Sequence, residues 1–193
     1  LGIASNKFLT PNNLSNLVRQ PSIYGVVAIG MTVVIISAGI DLSVGAVVGL
    51  SGILVSTFMT TGGMSIPVAI ITAVVLSTLV GLFNGIVLFD CKVPAFIATL
   101  GCMTAVRGLV MITTNARMVS GLPDAFTNFA QATFFGLPGL TLVWLIIIII
   151  TALMLKFTTF GRNIYAIGSN IEAARLSGIN IRLTTYGVYT FGA

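Results

Sequence analysis

The chain has 193 residues, of which 56% are hydrophobic and 7% charged, and nine Lys and Arg against four Asp and Glu give a formal net charge of +5. Soluble domains carry roughly 25% charged residues, so this composition excludes a water-soluble globular protein and also disordered, coiled-coil and collagen-like chains. The apolar residues come in long blocks rather than alternating segments, which predicts an all-α, polytopic transmembrane helical bundle and not a β-barrel.

The apolar blocks predict five complete spans and a truncated sixth, after a polar, turn-rich stretch at residues 1–22. The five spans are expected at about 24–39, 42–60, 67–89, 94–113 and 138–155. The sixth begins at about residue 184 and stops with the chain. Because ten residues of helix reach only about 15 Å, and there is no initiator Met or signal peptide, we expect a fragment of a longer protein.

The basic residues indicate the orientation of the bundle. The loop after the fifth span is crowded by Lys156, Arg162, Arg175 and Arg182, so the positive-inside rule places it in the cytoplasm. Alternation of the spans then puts Lys92 on the same side and the start of the chain outside. We expect no nucleic-acid partner, because no basic stripe interleaved with aromatic residues is present.

Catalytic and metal-binding patterns are absent from the sequence. There is no His, and the two Cys, Cys91 and Cys102, leave no metal cluster and no Cys–His nucleophile pair. A disulfide between them is not expected. The GxxxxGK[ST] phosphate loop is also missing. We therefore expect this chain to be neither an enzyme nor a holder of a metal or cofactor.

Three polar residues in apolar surroundings are candidates for a translocation path or a helix break. Asp41 is interpreted first as the N-cap of the second helix, and alternatively as a helix break facing a cavity. Asn84 lies within Gly81–Gly85, a small-xxx-small pattern like Gly45–Gly49 that favours helix packing, and could bond across that contact or face a polar path. Arg107 either snorkels to the outer interface or faces the bundle interior.

The loop at 156–183 carries the strongest functional signal. Asn170 is expected to cap a short helix that has Glu172 in its first turn and Gly178 at its end. Such a helix between two spans has no core of its own, so a partner surface is favoured over the membrane surface. The residues expected to need that partner are Ala173, Ala174 and Leu176.

This short helix resembles the EAA–x3–G coupling motif of permease subunits in ATP-binding-cassette (ABC) importers, with Glu172-Ala173-Ala174 followed by Gly178. Further segments extend the resemblance over essentially the whole chain to the ribose-type sugar permeases. These segments are FLTPNNL at 8–14, AIGMT at 28–32, GIDLSVG at 39–45, VPAFIATL at 93–100 and AARLSGI at 173–179.

The resemblance implies a permease subunit of the bacterial inner membrane with about ten helices in full, lacking here its first helix and its C-terminal third. It implies a homodimer in membrane lipid, two ABC ATPase subunits, a periplasmic sugar-binding protein, and a small sugar such as ribose as cargo. By the same resemblance, the residues that couple the permease to the ATPase are Glu172, Ala173, Ala174, Arg175 and Gly178.

Two alternatives stay open. An ion-coupled secondary transporter would use Asp41 and Arg107 as an intramembrane pair, and its uptake would survive ATP depletion; the coupling motif argues against it. In the second alternative the importer class is right, and the cargo is a nucleoside, an autoinducer-like sugar or a branched-chain amino acid. The sequence does not separate these cargoes.

Overall fold

The computed structural model describes residues 10–134 and 136–193. Phe8 and Leu9 of the FLTPNNL segment lie outside the described residues. The helices are α1 (Pro11–Ile36), α2 (Val44–Thr60), α3 (Ile66–Phe89), α4 (Ala95–Thr114), α5 (Asp124–Gln131), α6 (Gly139–Phe157), α7 (Thr159–Ser169), α8 (Ile171–Leu176) and α9 (Ile181–Gly192). Two short strands, β1 (Thr133–Phe134) and β2 (Leu137–Pro138), form an antiparallel hairpin.

Among the described residues, four helices are long and apolar enough to cross a membrane, which confirms the all-α bundle. These candidate spans are Asn13–Ile36, Ile66–Phe89, Ala95–Thr114 and Gly139–Phe157. The remaining expected span, α2, is a shorter apolar helix of 17 residues. At 1.5 Å per residue it is about 25 Å long, since the chain leaves the helical conformation between Ile36 and Val44.

α1 begins at Pro11 rather than at about residue 24. A proline at the first helical position loses nothing, because its missing N–H would have no intrahelical partner there. The helix then continues through Pro21. Its polar first turns therefore precede, in the same helix, the apolar segment that was predicted to begin at about residue 24. At this end of the bundle, Nη2 of Arg19 donates to the carbonyl oxygen of Gln131 at 3.1 Å and ties α1 to α5.

α9 packs closely against α3, and two glycines allow the contact. A Cβ atom added at Gly81 would collide with the carbonyl oxygen of Tyr189, and one added at Gly85 would lie 2.9 Å from Cα of Tyr186. The packing interpretation of Gly81–Gly85 is therefore confirmed. The Gly45–Gly49 pair differs, because a Cβ at either glycine meets nothing within 4 Å in the described part of the chain.

Three small clusters of buried residues hold the helices together. The first joins α1, α7 and α9 and consists of Val33, Val34, Ile164, Val188 and Tyr189. The second joins α2 and α4 through Ala46, Leu50, Cys102 and Val106. The third joins α7, α8 and α9 through Ile167, Ala174 and Ile181. The outward sides of α3 and α6 expose Ile, Val and Leu side chains, as expected for helices that face lipid.

The α3–α4 link and α8 lie at the same end of the bundle, which we call the α8 end. Nη2 of Arg182, at the start of α9, lies 3.0 Å from Oδ2 of Asp90 at the end of α3. This contact confirms that the link containing Lys92 lies on the same side as the basic loop. The two cysteines are free, as expected, with Cys91 exposed and Cys102 buried.

We expect Gly81→Ala to lower the stability of the bundle by about 1–3 kcal/mol, because the new methyl group forces α9 away from α3. Gly49→Ala is the matched control, since its Cβ enters open space and an alanine in a helix is favoured by about 0.5–1 kcal/mol over glycine. Thermal unfolding of the protein in detergent, followed by circular dichroism, measures both. Equal unfolding midpoints for the two variants would contradict the α3–α9 contact.

Candidate functional site

The chain breaks its helical path between α1 and α2 inside the bundle. Asp41, Ser43 and Asn84 meet at this break, and they are 3%, 0% and 1% exposed. Asn84 lies on α3 five residues before Phe89, where the helix ends, and therefore about 7.5 Å inside that end. The break thus places a carboxylate within the apolar layer formed by the long helices.

Ser43 is the centre of the polar contacts at the break. Oδ1 of Asp41 accepts hydrogen bonds from the backbone N–H of Ser43 at 2.7 Å and from its hydroxyl at 2.6 Å. Nδ2 of Asn84 donates to the same hydroxyl oxygen at 2.9 Å. The N-cap position of α2 is Ser43, two residues after Asp41. The Asp41 carboxylate nevertheless accepts an N–H at the positive N-terminal end of α2, as its capping interpretation expects.

Asn84 uses only part of its hydrogen-bonding capacity. Its amide nitrogen bonds across to Ser43, while its Oδ1 atom is buried and has no partner among the described residues. The Ser77 hydroxyl, two turns earlier on α3, is likewise buried without a partner in this part of the chain. A buried acceptor without a donor is costly, so Asn84 Oδ1 calls for a donor from outside the described residues.

Tyr189 of α9 fixes the geometry of the break from the opposite side. Its hydroxyl donates to the carbonyl oxygen of Ile40 at 3.1 Å, and its side chain is buried in the cluster around Val33 and Val34. Just before this carbonyl the chain turns at Ala38, whose φ is +60°. No local sequence pattern indicates this contact, because donor and acceptor are 149 residues apart.

Arg107 lies on α4 and does not contact the interior of the bundle formed by the described residues. It is exposed, and within the described residues it forms no hydrogen bond or ion pair. Its position is about 18 Å along the helix from Ala95. Helical side chains lean toward the helix N-terminus. The Arg107 side chain therefore leans away from Thr114, the nearer end of α4 and the end to which it would snorkel. Asp41 bonds to Ser43 instead, so the proposed Asp41–Arg107 pair does not form.

α7 lies in the loop at 156–183, in which the sequence predicts only the short helix after Asn170. The Thr158 hydroxyl caps it by accepting a hydrogen bond from the N–H of Gly161 at 3.1 Å. Ile164 and Ile167 are buried against neighbouring helices. A Thr N-cap followed by two isoleucines three residues apart was the available signal for this helix.

α8 has the cap and the end that the sequence predicts. Oδ1 of Asn170 accepts from the N–H groups of Glu172 and Ala173, both at 3.0 Å. At the other end Gly178 has φ +78°, which favours glycine. Its N–H donates to Arg175 at 3.0 Å, and the next N–H donates to the carbonyl of Ala174 at 3.1 Å. This pattern is a Schellman motif, which stops the helix sharply.

The two sides of α8 have different surroundings. Ala174 is 3% exposed and packs with Ile167 and Ile181, so the expectation that it needs an external partner is corrected. Leu176 is 88% exposed, and Ala173 is exposed as well. Glu172 and Arg175 form an exposed ion pair at 3.3 Å. α8 is therefore anchored on one side and presents an apolar tip beside paired charges on the other.

Comparison with known proteins identifies relatives over nearly the whole chain. Residues 13–193 match the family described as branched-chain amino acid transport system / permease component. The ribose import permease protein RbsC of Bacillus subtilis is 38% identical over 192 residues, and that of Haemophilus influenzae is 38% identical over 180 residues. The autoinducer 2 import system permease protein LsrC of Salmonella typhi is 32% identical over 183 residues.

These alignments cover 98%, 90% and 95% of this chain but only 59%, 55% and 52% of the three relatives. The chain thus spans between half and three fifths of the length of these curated relatives. No solved structure matches the chain significantly.

We expect Ser43→Ala to destabilise the protein by about 1–3 kcal/mol, because it leaves the buried amide of Asn84 without an acceptor and removes one donor from Asp41. Ser56→Ala on the same helix is the control, since its hydroxyl bonds only to the carbonyl of Gly52 within α2. The fluorescence of the single tryptophan, Trp144, reports the unfolding midpoint in detergent. Equal midpoints for the two variants would exclude Ser43 as the centre of the network.

Proposed function

Since the chain belongs to the family described as branched-chain amino acid transport system / permease component, we propose that it forms the membrane path of an ABC importer for ribose or a related monosaccharide. Family and hydropathy make it a multi-pass protein of the bacterial inner membrane. A separate ABC ATPase subunit supplies the energy, and a periplasmic sugar-binding protein delivers the cargo. The complete permease, surrounded by lipid, acts as a homodimer.

The choice of a sugar as cargo is supported by the relatives. Two of them, at 38% identity, are named as ribose import permeases. The family description, by contrast, names branched-chain amino acids, and a relative at 32% identity is named for autoinducer 2. Autoinducer 2 is therefore the second candidate cargo, and the higher identity to the ribose permeases favours ribose.

The two-sided surroundings of α8 are the observation that carries this proposal. The outer side, with Glu172, Ala173, Arg175 and the exposed Leu176, docks on the ATPase. Ala174 faces inward and anchors α8 to α7 and α9, and Gly178 ends the helix so that α9 can turn back into the bundle. ATP binding then acts because the nucleotide-bound ATPase grips one of two arrangements of α8 more tightly than the other.

The helix break is assigned to the translocation path. Asn84 Oδ1 is a buried acceptor without a partner among the described residues, and a sugar hydroxyl can donate to such an atom. Asp41 is linked to Asn84 through the hydroxyl of Ser43. We place Arg107 at the edge of the path on α4, where its exposed guanidinium is a hydrogen-bond donor. These three assignments rest on position and chemistry within the described residues.

An ion-coupled secondary transporter is disfavoured. The charge pair expected for it is not formed among the described residues, because Asp41 bonds to Ser43 while Arg107 lies exposed on α4. Uptake that persists after ATP depletion and collapses with the proton or sodium gradient is the result that would favour it over the importer.

Co-purification tests the proposal directly. The full-length permease is extracted gently in detergent from its native membranes, and its partners are identified by mass spectrometry. Recovery of an ABC ATPase is the expected result, and a co-purified binding protein is then titrated with ribose, autoinducer 2 and branched-chain amino acids. Recovery of neither partner, from membranes in which uptake is active, would overturn the proposal.

We expect Glu172→Lys and Gly178→Pro to uncouple ATP hydrolysis from uptake while membrane insertion stays intact. The first reverses a charge on the docking side, and the second cannot adopt the positive φ at the end of α8. Asp124→Lys, the same charge reversal in the first turn of α5, is the control and retains uptake. Uptake and ATP hydrolysis are measured on the assembled complex in vesicles. Normal uptake in both α8 variants would exclude α8 as the coupling element.

A further inference from the structure

Three polar side chains join α9 to the end of α3 at the α8 end of the bundle. Oδ2 of Asp90 accepts from Nη2 of Arg182 at 3.0 Å and also from the hydroxyl of Tyr186. Nε of Arg182 donates to the same hydroxyl oxygen at 2.9 Å, which closes the triangle. We call Asp90, Arg182 and Tyr186 the Asp90 cluster. Every member contacts the other two, so the cluster fixes one relative position of the two helices.

The charge distribution favours this arrangement at neutral pH. The hydrogen bond from Tyr186, together with the contact of Arg182, lowers the pKa of the Asp90 carboxyl below its ordinary value. The carboxyl is therefore ionised, and its Oδ2 atom accepts both hydrogen bonds. The guanidinium also lies over the Tyr186 ring, 5.5 Å from its centroid.

The Asp90 cluster lies one short connection away from α8. Leaving α8 at Gly178, the chain enters α9 at Ile181, and Asn180 caps the new helix by accepting from the N–H of Leu183 at 3.0 Å. Ile181 packs with Ala174 of α8, and the partly buried Phe89 lies against the same apolar cluster. Phe89 directly precedes Asp90, so α8, the start of α9 and the end of α3 meet at one junction.

The start of α9 packs closely against α3 and also lies beside a cavity. On the α3 side, Tyr186 approaches Gly85 closely. The cavity has a volume of about 160 Å³ and is lined by Thr185 and Val188 of α9, by Leu88 of α3 and by the α1–α2 link at Ala38 and Gly39. α9 therefore has free space there at the level of the Asp90 cluster, and polar contacts help to keep it against α3.

We propose that Asp90 and Tyr186 are positioning residues for coupling, which hold α9 on α3 through Arg182 so that a displacement of α8 moves α3 together with α9. This inference rests on the proposed function, since it needs an ATPase that displaces α8. Asn84 is on the same helix α3 and Tyr189 is on α9, so the linked movement acts on both sides of the helix break. Without the cluster, the glycines of α3 still hold the two helices together, but the start of α9 is free to shift relative to the end of α3.

The test uses the full-length permease assembled with its ATPase and binding protein in vesicles. Asp90→Asn and Tyr186→Phe are compared with the parent protein for sugar taken up per ATP hydrolysed. We expect this ratio to fall by about two- to fivefold, the range that corresponds to the loss of an exposed ion pair, while ATP hydrolysis continues. An unchanged ratio in both variants would overturn the proposal.

Control variants separate coupling from stability and assembly. Tyr165→Phe removes the same hydroxyl from an exposed tyrosine on α7 and keeps the parental ratio. Asp90→Arg combined with Arg182→Asp restores the ion pair with reversed polarity and is expected to recover part of the lost ratio; no recovery counts against the proposal. If Asp90→Asn does not assemble, Tyr186→Phe decides, because it keeps the aromatic ring at Gly85.

The two levels of the proposal fail in different ways. If the parent complex contains no ABC ATPase, the proposed function is wrong and the inference falls with it. If the parent complex couples hydrolysis to uptake and the Asp90 and Tyr186 variants do so equally well, only the inference is wrong.

Discussion

The close approach of α3 and α9 at Gly81 and Gly85 is the constraint on which the rest of the bundle depends. With the two backbones in contact, α9 brings Tyr189 to the α1–α2 break and Tyr186 to the end of α3. A single interhelical distance therefore sets the geometry at two levels of the bundle. Glycine is needed at both positions because any side chain would separate both levels at once.

Polar groups in an apolar layer are stable here because each contact supports another. The carboxylate of Asp41 accepts a hydrogen bond from the Ser43 hydroxyl, whose oxygen accepts one from Asn84. The carbonyl of Ile40, which the break leaves without a helical partner, accepts a hydrogen bond from Tyr189. In hydrocarbon an unpaired backbone group costs several kcal/mol, so an interrupted helix is tolerated only when neighbours supply partners. Within the described residues, the buried Oδ1 atom of Asn84 is an acceptor of this network that has no donor.

The sequence predicted those features that depend on local chemistry. The apolar blocks located the long helices, and Asn170 and Gly178 located both ends of α8, because caps and positive φ angles leave marks within a few residues. Features that depend on tertiary contact were not predictable. The N-cap position of α2 was expected at Asp41 and lies at Ser43, Ala174 was expected to face a partner, and the meeting of Asp90 with Arg182 and Tyr186 has no local pattern. Arg107 shows the same limit, because hydropathy does not tell which side of α4 faces outward.

The hydrogen bond from Tyr189 to Ile40 also has a consequence for biosynthesis. Its two residues are 149 positions apart, so the acceptor enters the membrane long before its donor has been made. At about 5–20 residues per second, translation takes roughly 7 to 30 s to cover that distance. During this interval the α1–α2 break and the glycine face of α3 have no α9 to cover them. The polar break is therefore inserted into the membrane before α9, the last described helix, has been synthesised. The speed of translation then determines how long the break can contact lipid or other helices.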